Sequence, residues 1–202
     1  MKIADFSLAE GLGEGQYRAR TWIPDGELIV LGRSRKEELE IDIARAREDR
    51  VPVIRRVSGG GTVVLDRDCI VVEVGHRPRT RLIASDFMAA CNGAIIRALR
   101  ELGIMAEQDE GWPDIRVGAK KLAGCAVGIR KNQYLYGASV IGSRSTKALA
   151  ERYLRLPERR PSYRCDRSHS DFMTSLEELG FAAGVGLATR IQEIIRHELH
   201  AI

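Results

Sequence analysis

Three consecutive glycines between two strand-like segments constrain this sequence more than any other feature. The run Ser58-Gly59-Gly60-Gly61 separates residues 53–57 from residues 62–65, and both flanking segments are rich in β-branched side chains, which favour strands. Each glycine loses more conformational entropy on folding than any other residue. We therefore expect a tight loop between two strands, at a place where a ligand approaches the main chain closely. The alternative is a glycine-rich bulge.

Two arginines directly before this loop add positive charge to it. Arg55 and Arg56 carry forked N–H donors that match the oxygens of a phosphate or a carboxylate. The amide N–H groups of a glycine loop can point at the same anion. The segment therefore predicts an anion site, unless the arginines are merely solvated.

The composition fits a single globular domain over residues 1–202. The chain has 202 residues, 44% hydrophobic and 30% charged, which is enough to bury a core. No apolar run approaches the roughly 20 residues of a membrane-spanning helix, and the N-terminus lacks a secretory pattern. We expect a soluble, cytoplasmic protein with no membrane partner. The formal net charge of +4 suits an anionic ligand, an acidic protein partner or nucleic acid.

Periodicity predicts a mixed sheet with helices packed on it. The strongest helical pattern spans residues 84–102 and ends before Gly103. Strands and helices do not alternate regularly, which favours an α/β (α+β) arrangement. The other predicted helices span 37–49, 146–154, 171–179 (capped by Ser170) and 187–199. Strands 17–23 and 27–32 are predicted to form a hairpin around Pro24-Asp25-Gly26. Further strands are predicted at 53–57, 62–65 and 70–74, and the last three, 114–117, 121–129 and 133–141, are predicted to form a meander.

A second segment places an acidic residue and a lysine next to small residues. Asp114 opens a strand-like run, and Lys121 leads into Ala123, Gly124 and Ala126. A lysine beside such a strand can lie against a ligand on it, and its ammonium can stabilise negative charge on a carbonyl or phosphate oxygen. The alternative is an exposed lysine pair in a hairpin turn.

Together, the two segments resemble the lipoate protein ligase family, within the wider biotin and lipoate ligase superfamily. The resemblance rests on residues 55–66, RRVSGGGTVVLD, and on residues 114–140, DIRVGAKKLAGCAVGIRKNQYLYGASV. It also covers residues 29–33 and 161–169, so that it spans nearly the whole chain. It implies a catalytic domain with a mixed, largely antiparallel sheet, of the type shared with class II aminoacyl-tRNA synthetases.

This resemblance implies an enzyme that activates lipoate with ATP and Mg²⁺ as lipoyl-AMP and passes the lipoyl group to a lysine of a lipoyl-domain protein. The implied acceptors are E2 subunits of 2-oxoacid dehydrogenases and the H protein of glycine cleavage. A carboxylate is a poor electrophile, so AMP must become its leaving group. The phosphate charge must be held while the acceptor amine attacks.

The resemblance also assigns roles to individual residues. Lys121 matches the catalytic lysine of the family, and Asp114 matches an acidic position that is expected to help hold Mg²⁺ with the phosphates. Arg55 is expected to assist the anion site. Two further groups of residues are implied to bind ATP or the acyl-adenylate. The nucleotide-contacting segment of the family is matched by Arg56, Gly61, Thr62, Val63 and Val64. The acyl and phosphate pocket would be shaped by Ser58, Gly59 and Gly60.

Three features depart from the family pattern. Pro113 stands where the ligases usually have asparagine, and Tyr136 stands where many have histidine, next to the expected acyl pocket. The sequence also ends after one helix, so we expect the smaller C-terminal accessory domain of full ligases to be absent. A separate accessory subunit is therefore a candidate partner.

Related octanoyltransferases provide the alternative function. They are single-domain, use no ATP, and move octanoyl from acyl carrier protein through a cysteine thioester. Cys165 is the candidate nucleophile, because Arg164 and Arg167 beside it would favour the thiolate, although no Pro-Cys-Gly signature surrounds it. Cys125 is expected on the same strand face as Lys121, but too far along the strand for direct pairing.

Other classes of function are weaker. The arginines within residues 152–167 would suit nucleic acid, but only two tyrosines accompany them and no reader motif is present, so a nucleic-acid-binding module is a remote alternative. His197 and His200 lack a recognisable third ligand, so solvated histidines are preferred to a metal site. A non-catalytic relative that binds lipoate or partners a true ligase is a further alternative.

Overall fold

The computed structural model describes residues 5–109, 111–158 and 160–199, which form two sheets with helices packed on them. Arg159 and His200, from the arginine-rich region and the histidine pair, lie outside the described residues. The strands are β1 (Gln16–Trp22), β2 (Leu28–Leu31), β3 (Val53–Arg55), β4 (Val63–Leu65), β5 (Ile70–Arg77), β6 (Ala106–Gln108), β7 (Ile115–Val117), β8 (Lys120–Arg130) and β9 (Gln133–Val140). The helices are α1 (Glu37–Glu40), α2 (Ile43–Glu48), α3 (Ala84–Glu101), α4 (Arg144–Tyr153), α5 (His169–Phe172) and α6 (Val185–Glu198).

The larger sheet contains six strands in the order β1-β5-β9-β8-β7-β6, each antiparallel to its neighbours. It includes the predicted meander of β7, β8 and β9. The smaller sheet has the order β3-β2-β4, with β2 parallel to β3 and antiparallel to β4. The expected mixed, largely antiparallel architecture is confirmed, and the parallel pair lies in the smaller sheet.

The predicted hairpin between the first two strands is wrong. β1 pairs with β5 from Gln16 opposite Arg77 to Trp22 opposite Val71, whereas β2 is the central strand of the smaller sheet. All four residues of β2 are buried. The place beside β1 is taken by β5, and β2 buries Leu28 and Val30 between the two sheets and Ile29 and Leu31 in a separate apolar cluster on its other face. The turn at residues 24–26 therefore leads the chain from one sheet to the other.

The charged helix predicted over residues 37–49 is interrupted in the middle. Ile41 is fully buried between α1 and α2 and pairs with Leu154 in an isolated bridge. The Asp42 carboxylate then accepts a hydrogen bond from the Arg45 amide at 3.1 Å and caps α2. A buried extended residue followed by a new cap ends one helix and starts the next. Helices α3, α4 and α6 lie close to their predicted positions.

The helix predicted over residues 171–179 is also wrong, and the difference shapes the site. Ser168 rather than Ser170 caps α5, which ends after one turn. The chain then runs beside β8, where Met173 pairs with Lys121 in a parallel bridge. The next amide donates to the Lys121 carbonyl at 2.9 Å. The segment after α5 therefore fixes the main chain at Lys121.

The larger sheet is covered by α3 and α6 on one face and by the smaller sheet on the other. Phe87, Ile95 and Ile191 belong to the core under the helices, and Val30 and Val71 belong to the layer between the sheets. Among the described residues, none of the helices combines the length and the apolar character that crossing a membrane requires.

Candidate functional site

A cavity of about 530 Å³ lies between the two sheets. Its described lining includes the small residues of β8 and β9, a glycine loop (residues 58–62, of which all but Gly59 line it), and parts of a mouth segment (residues 161–173). A Cβ added at Gly60 would lie 3.5 Å from the Ala126 Cβ, so the glycine loop covers β8 closely. A concave site of this size, with apolar walls and a few polar groups, is typical of small-molecule binding.

Arg56 holds the glycine loop from inside. Its guanidinium is buried and donates to the Gly59 carbonyl at 2.8 Å, the Gly61 carbonyl at 2.7 Å and the Val30 carbonyl at 3.3 Å. Burial, together with the charge of Arg35, lowers the pKa of Arg56 to about 10. Because its donors are engaged with carbonyls, Arg56 fixes the shape of the loop.

The three glycines of the loop differ in what they require. Gly60 has a φ of 91°, and a Cβ there would lie 2.8 Å from Arg56 Nη2. A Cβ on Gly59 or Gly61 would meet no described atom within 4 Å. The backbone of the loop therefore needs glycine at position 60, whereas Gly59 and Gly61 face open space.

Ser58 contributes an unsatisfied hydroxyl to the cavity wall. Its side chain is 1% exposed, and its Oγ has no hydrogen-bond partner among the described residues. The Ser58 carbonyl accepts from the Arg33 amide at 3.0 Å, which fixes the start of the loop. A buried hydroxyl without a partner is costly, and a polar atom of a bound ligand would satisfy it.

Arg55 lies away from the cavity that it was expected to assist. Its Nη1 donates to the carbonyls of Gly32 at 3.1 Å and Arg33 at 3.3 Å, and its Nη2 lies 3.7 Å from a Glu37 carboxylate oxygen. It is not among the described residues that line the cavity. Its contacts hold the chain after β2 instead.

The remaining residues of the expected nucleotide segment line the cavity, and they bring in an unpredicted carboxylate. Val63 and Val64 are in β4, and Thr62 Oγ1 donates to Glu40 Oε2 at 2.8 Å. Glu40 is buried, lines the cavity and pairs with Arg35 at 3.3 Å. It stood in a predicted surface helix, and its sequence context carries no signal of burial.

Lys121 and Asp114 form an ion pair in the cavity wall. Lys121 Nζ lies 2.8 Å from Asp114 Oδ1, and the side chains are 23% and 7% exposed. A Cβ at Gly124 would lie 3.0 Å from Lys121 Nζ, so the glycine leaves room for the ammonium. The two residues that the sequence placed in one segment are thus in direct contact.

A β-bulge turns Lys121 toward the cavity. The register between β7 and β8 shifts at Leu122, and both Leu122 and Ala123 pack in the core under α3. The alternation of side chains therefore shifts by one position, and Lys121 shares a face with Gly124. Cys125 belongs to the core, so the expectation that it shares a strand face with Lys121 is wrong.

The second oxygen of Asp114 is also engaged. Tyr163, in the mouth segment, donates its hydroxyl to Asp114 Oδ2 at 3.0 Å. Burial and the Asp114 charge raise the pKa of Tyr163. No group of three histidine, cysteine, aspartate or glutamate side chains in the described part of the chain is placed to hold a metal ion. The expected magnesium role of Asp114 has no preformed protein cage around it.

The mouth segment supplies two groups that sequence reasoning did not place in the site. Arg164 is 4% exposed and lines the cavity, and its Nη2 has no hydrogen-bond partner among the described residues. His169 is buried beside it and also lines the cavity. Burial and the Arg164 charge lower the pKa of His169 to about 4, so this imidazole is neutral at pH 7.

The cysteines offer little to a thioester mechanism. Tyr136, which is buried in the core rather than in an acyl pocket, donates to Asn92 Oδ1 at 2.6 Å and contacts Cys125 Sγ at 3.5 Å. Burial raises the pKa of Cys125 to about 12, which leaves its thiol protonated and unreactive. Cys165 is exposed and is not among the described residues that line the cavity.

Three of the described arginines near the mouth are paired or buried. Arg152 pairs with Asp49 at 2.6 Å, and Arg160 pairs with Asp166 at 2.5 Å. Arg164 is buried. Because phosphate backbones are bound by exposed, available cations, this geometry gives no support to a nucleic-acid-binding module.

Comparison with known sequences points in the same direction as the geometry. The sequence profile of the lipoyl protein ligase A/B catalytic domain matches residues 7–197. A protein of Aeropyrum pernix named for lipoate-protein ligase A is 36% identical over 135 residues, or 66% of this chain and 49% of that protein. Lipoate-protein ligase A subunit 1 of Thermoplasma acidophilum is 29% identical over 122 residues, or 56% of this chain and 46% of that protein. The chain spans about half the length of these relatives.

Solved structures share the fold. A lipoate-protein ligase A bound with ATP has a TM-score of 0.80 at 18% identity, covering 96% of this chain and 77% of that one. A T. acidophilum protein with bound lipoic acid has a TM-score of 0.78 at 18% identity, with 96% and 77% covered. A bipartite lipoate protein ligase with its E2 lipoyl domain, from Thermoplasma acidophilum, has a TM-score of 0.79 at 18% identity, with 95% and 75% covered.

Proposed function

Because the chain belongs to the lipoyl protein ligase A/B catalytic domain family, we propose that it activates lipoate with ATP to lipoyl-AMP and transfers the lipoyl group to a lysine of a lipoyl-domain protein. The observation that carries this proposal is the 2.8 Å pair of Lys121 and Asp114 in the wall of a cavity covered by a glycine loop. The ATP-bound and lipoic-acid-bound structures of the same fold support a site that takes both ligands.

In the first step, a carboxylate oxygen of lipoate attacks the α-phosphorus of ATP, and the bond to the departing pyrophosphate breaks. The proposed role of Lys121 is to stabilise the charge that builds on the carboxylate and phosphate oxygens. Asp114 holds the Lys121 ammonium in one place, which limits the reorganisation needed as that charge develops. The Ser58 hydroxyl and the Gly61 amide, both from residues that line the cavity, are the proposed donors to the same oxygens.

In the second step, the neutral amine of the acceptor lysine attacks the acyl carbon. The bond from that carbon to the phosphate oxygen breaks, AMP leaves, an amide forms, and the nitrogen gives up its proton to solvent. The charge on AMP stays beside Lys121, which supports a role for this residue in both steps. Binding that holds the anhydride still against the incoming amine also lowers the entropic part of the barrier.

The lipoyl tail is proposed to lie between the glycine loop and the larger sheet. Ala126 of β8 pairs with Gly137 of β9, and both line the cavity together with Val30, Val64 and Val71. A Cβ on Gly137 would meet no described atom within 4 Å. This row of small and apolar side chains suits a thin aliphatic ligand.

Magnesium is proposed to arrive with the nucleotide. Mg²⁺ commonly keeps several waters and binds through one or two carboxylates together with substrate phosphates. Asp114 is the carboxylate beside the proposed phosphate position, and its present contacts with Lys121 and Tyr163 would have to be shared. When bound, the ion would neutralise phosphate charge.

The proposed partners are lipoyl-domain proteins and an accessory ligase subunit. The similar bipartite ligase is described together with an E2 lipoyl domain, and one relative is named as subunit 1. We extend both kinds of partner to this chain. The H protein of glycine cleavage remains a proposed acceptor that follows from the family alone.

The test is the intact mass of a purified lipoyl domain after incubation with the protein. One mixture contains ATP, Mg²⁺ and lipoate, and the other contains octanoyl acyl carrier protein without ATP. A lipoyl mass increase in the first mixture, lost when ATP is left out, supports the proposal. An octanoyl increase in the second mixture would contradict it. Failure in both mixtures leads to the same assay, and to ATP–pyrophosphate exchange, with an accessory ligase subunit added; absence of lipoate-dependent exchange under those conditions also contradicts the proposal.

Substitution of Cys165 separates the two chemistries within the same assay. Cys165→Ser should leave lipoyl transfer within about a factor of two of the unaltered protein, because an exposed residue away from the cavity contributes little. A thioester-forming enzyme would lose turnover on losing its nucleophile. Loss of transfer in a Cys165→Ser protein with an unchanged melting temperature would therefore favour the octanoyltransferase.

A further inference from the structure

The positive charges that line the cavity differ in whether they already have partners. Arg35 pairs with Glu40 at 3.3 Å. Arg56 is engaged with main-chain carbonyls, and Lys121 is neutralised by Asp114 at 2.8 Å. None of these three brings an uncompensated donor to a ligand without first giving up a contact. Arg155 also lines the cavity, but it is exposed to solvent and its Nε donates to the Ile41 carbonyl at 3.1 Å.

Arg164 is different, because a buried nitrogen of its guanidinium has no partner. Its Nη2 makes no hydrogen bond with the described residues, and its Nε reaches the Arg167 carbonyl only at 3.3 Å. The guanidinium stacks 4.7 Å from the centre of the Phe172 ring. Burying a charge with an unsatisfied donor is unfavourable, so its surroundings are complete only when an acceptor enters the cavity.

The position of Arg164 places this acceptor beside Lys121. Tyr163, the preceding residue, donates to Asp114 Oδ2, and Asp114 holds Lys121. The Lys121 and Asp114 pair has no net charge, and His169 is neutral at pH 7 because its pKa is lowered to about 4. Among the buried cations at this end of the cavity, Arg164 is therefore the one with no ion-pair partner among the described residues.

We infer that Arg164 binds a phosphate group of the nucleotide, with its Nη2 donating to a phosphoryl oxygen that also lies near Lys121. A phosphate fits better than the carboxylate of the acyl substrate. The carboxylate loses its charge when the mixed anhydride forms, whereas the phosphate stays negative through both steps. A buried cation needs an anion that persists. That this phosphate belongs to a nucleotide rests on the proposed function.

The test measures binding without turnover. Dissociation constants for AMP, inorganic pyrophosphate and lipoate are measured by calorimetry on the unaltered protein and on Arg164→Gln. Loss of a charge-assisted hydrogen bond should weaken AMP, pyrophosphate or both by about ten- to a hundredfold. Lipoate affinity should stay within about a factor of two, as expected for a ligand that Arg164 does not touch.

Arg160→Gln is the matched control. It removes one positive charge from the same part of the chain, but Arg160 pairs with Asp166 outside the cavity. Its AMP and pyrophosphate affinities should remain near those of the unaltered protein. Equal weakening in Arg160→Gln and Arg164→Gln would mean that overall charge, rather than contact, governs binding, and would overturn the inference.

Arg164→Lys keeps the charge but removes the planar fork. If Arg164→Gln does not fold, as judged by its melting curve, Arg164→Lys still decides the matter: AMP or pyrophosphate should bind several-fold more weakly, and unchanged affinity for both overturns the inference. Unchanged affinity in Arg164→Gln, or weakening of lipoate alone, overturns it as well. Pyrophosphate binding that depends on Arg164, in a protein without lipoate-dependent exchange, would refute the proposed function and leave the inference standing.

Discussion

The two sides of the cavity satisfy their polar groups in different ways. On the glycine loop, Arg56 reaches the carbonyls of residues 59 and 61, so the guanidinium and the loop satisfy each other. On the mouth segment, Arg164 is buried as deeply, but its Nη2 has no partner among the described residues. Both residues are buried arginines at the same cavity.

This difference separates stability from ligand binding. A buried group with all its partners in the protein contributes to the folded state whether or not a ligand is present. A buried donor left without a partner makes its contribution when a ligand arrives, and it costs free energy until then. Substitutions on the glycine loop side should therefore change unfolding first, and those on the mouth side should change affinity first.

Lys121 lies between the two sides, and its loss should have the largest effect. We expect Lys121→Ala to reduce lipoyl transfer by about a hundred- to a thousandfold, because it removes a positioned charge from the reacting oxygens. Lys120→Ala, at the exposed preceding position, is the matched control and should retain transfer within about a factor of three. Initial rates of lipoyl-domain mass change give both values, and melting curves verify folding. Comparable losses in the two variants would remove Lys121 from its proposed role.

Arg56→Met should destabilise the protein by about 2 to 3 kcal/mol, because it leaves the buried Val30 carbonyl and two carbonyls of the glycine loop without their donor. The free energy of unfolding in urea measures this effect. Arg55→Met is the control: Arg55 is exposed and lies outside the cavity lining, so a smaller loss is expected. If Arg56→Met left stability unchanged and weakened only ligand binding, the two sides of the cavity would not differ as described.

His169 should make stability depend on pH in a defined range. Its pKa is lowered from 6.5 to about 4, mainly by burial and then by the charge of Arg164, to which Lys121 adds. The charge of Glu151 and a hydrogen bond to the Arg155 carbonyl act in the opposite direction. Between these values the unfolded chain binds the proton and the folded protein does not. Stability is therefore fully present above pH 6.5 and falls as the pH drops toward 4, by up to about 3 kcal/mol.

The measurement is the difference in unfolding free energy between the unaltered protein and His169→Gln across this pH range. Subtracting the two curves removes the contribution of the carboxylates that titrate in both proteins. The difference should shrink as the pH falls. A difference that is constant from pH 7 to pH 4.5 would mean that His169 titrates normally in the folded protein.

The sequence predicted the local features of the site and missed those that depend on distant pairing. The glycine run, the helix over residues 84–102 and the meander each follow from a few neighbouring residues. The contact between Asp114 and Lys121 also follows from one segment, because a tight turn joins β7 to β8. The hairpin failed because the partner of β1 is β5, which a local turn signal cannot identify.

Arg164 and Glu40 show why the rest of the site was missed. Arg164 stands in a stretch rich in arginine, where solvated charge is the ordinary expectation, and its burial arises because Tyr163 reaches Asp114 from another part of the chain. Glu40 is at the end of a short charged helix and is buried against Thr62. In both cases, a tertiary contact converts a common surface residue into part of the cavity wall.

The smallest expected effects come from two neighbouring glycines, and they test the comparison within the loop itself. Gly60→Ala should cost about 1 to 2 kcal/mol, since its φ of 91° is unfavourable for alanine and the new Cβ meets Arg56. Gly61→Ala should leave stability within about 0.5 kcal/mol, because a Cβ there meets no described atom within 4 Å. If a ligand passes this open position, Gly61→Ala should nevertheless weaken AMP binding several-fold. Urea unfolding and calorimetry on both variants separate the two effects, and unchanged AMP affinity in Gly61→Ala would mean that the open side of the loop is not where the nucleotide lies.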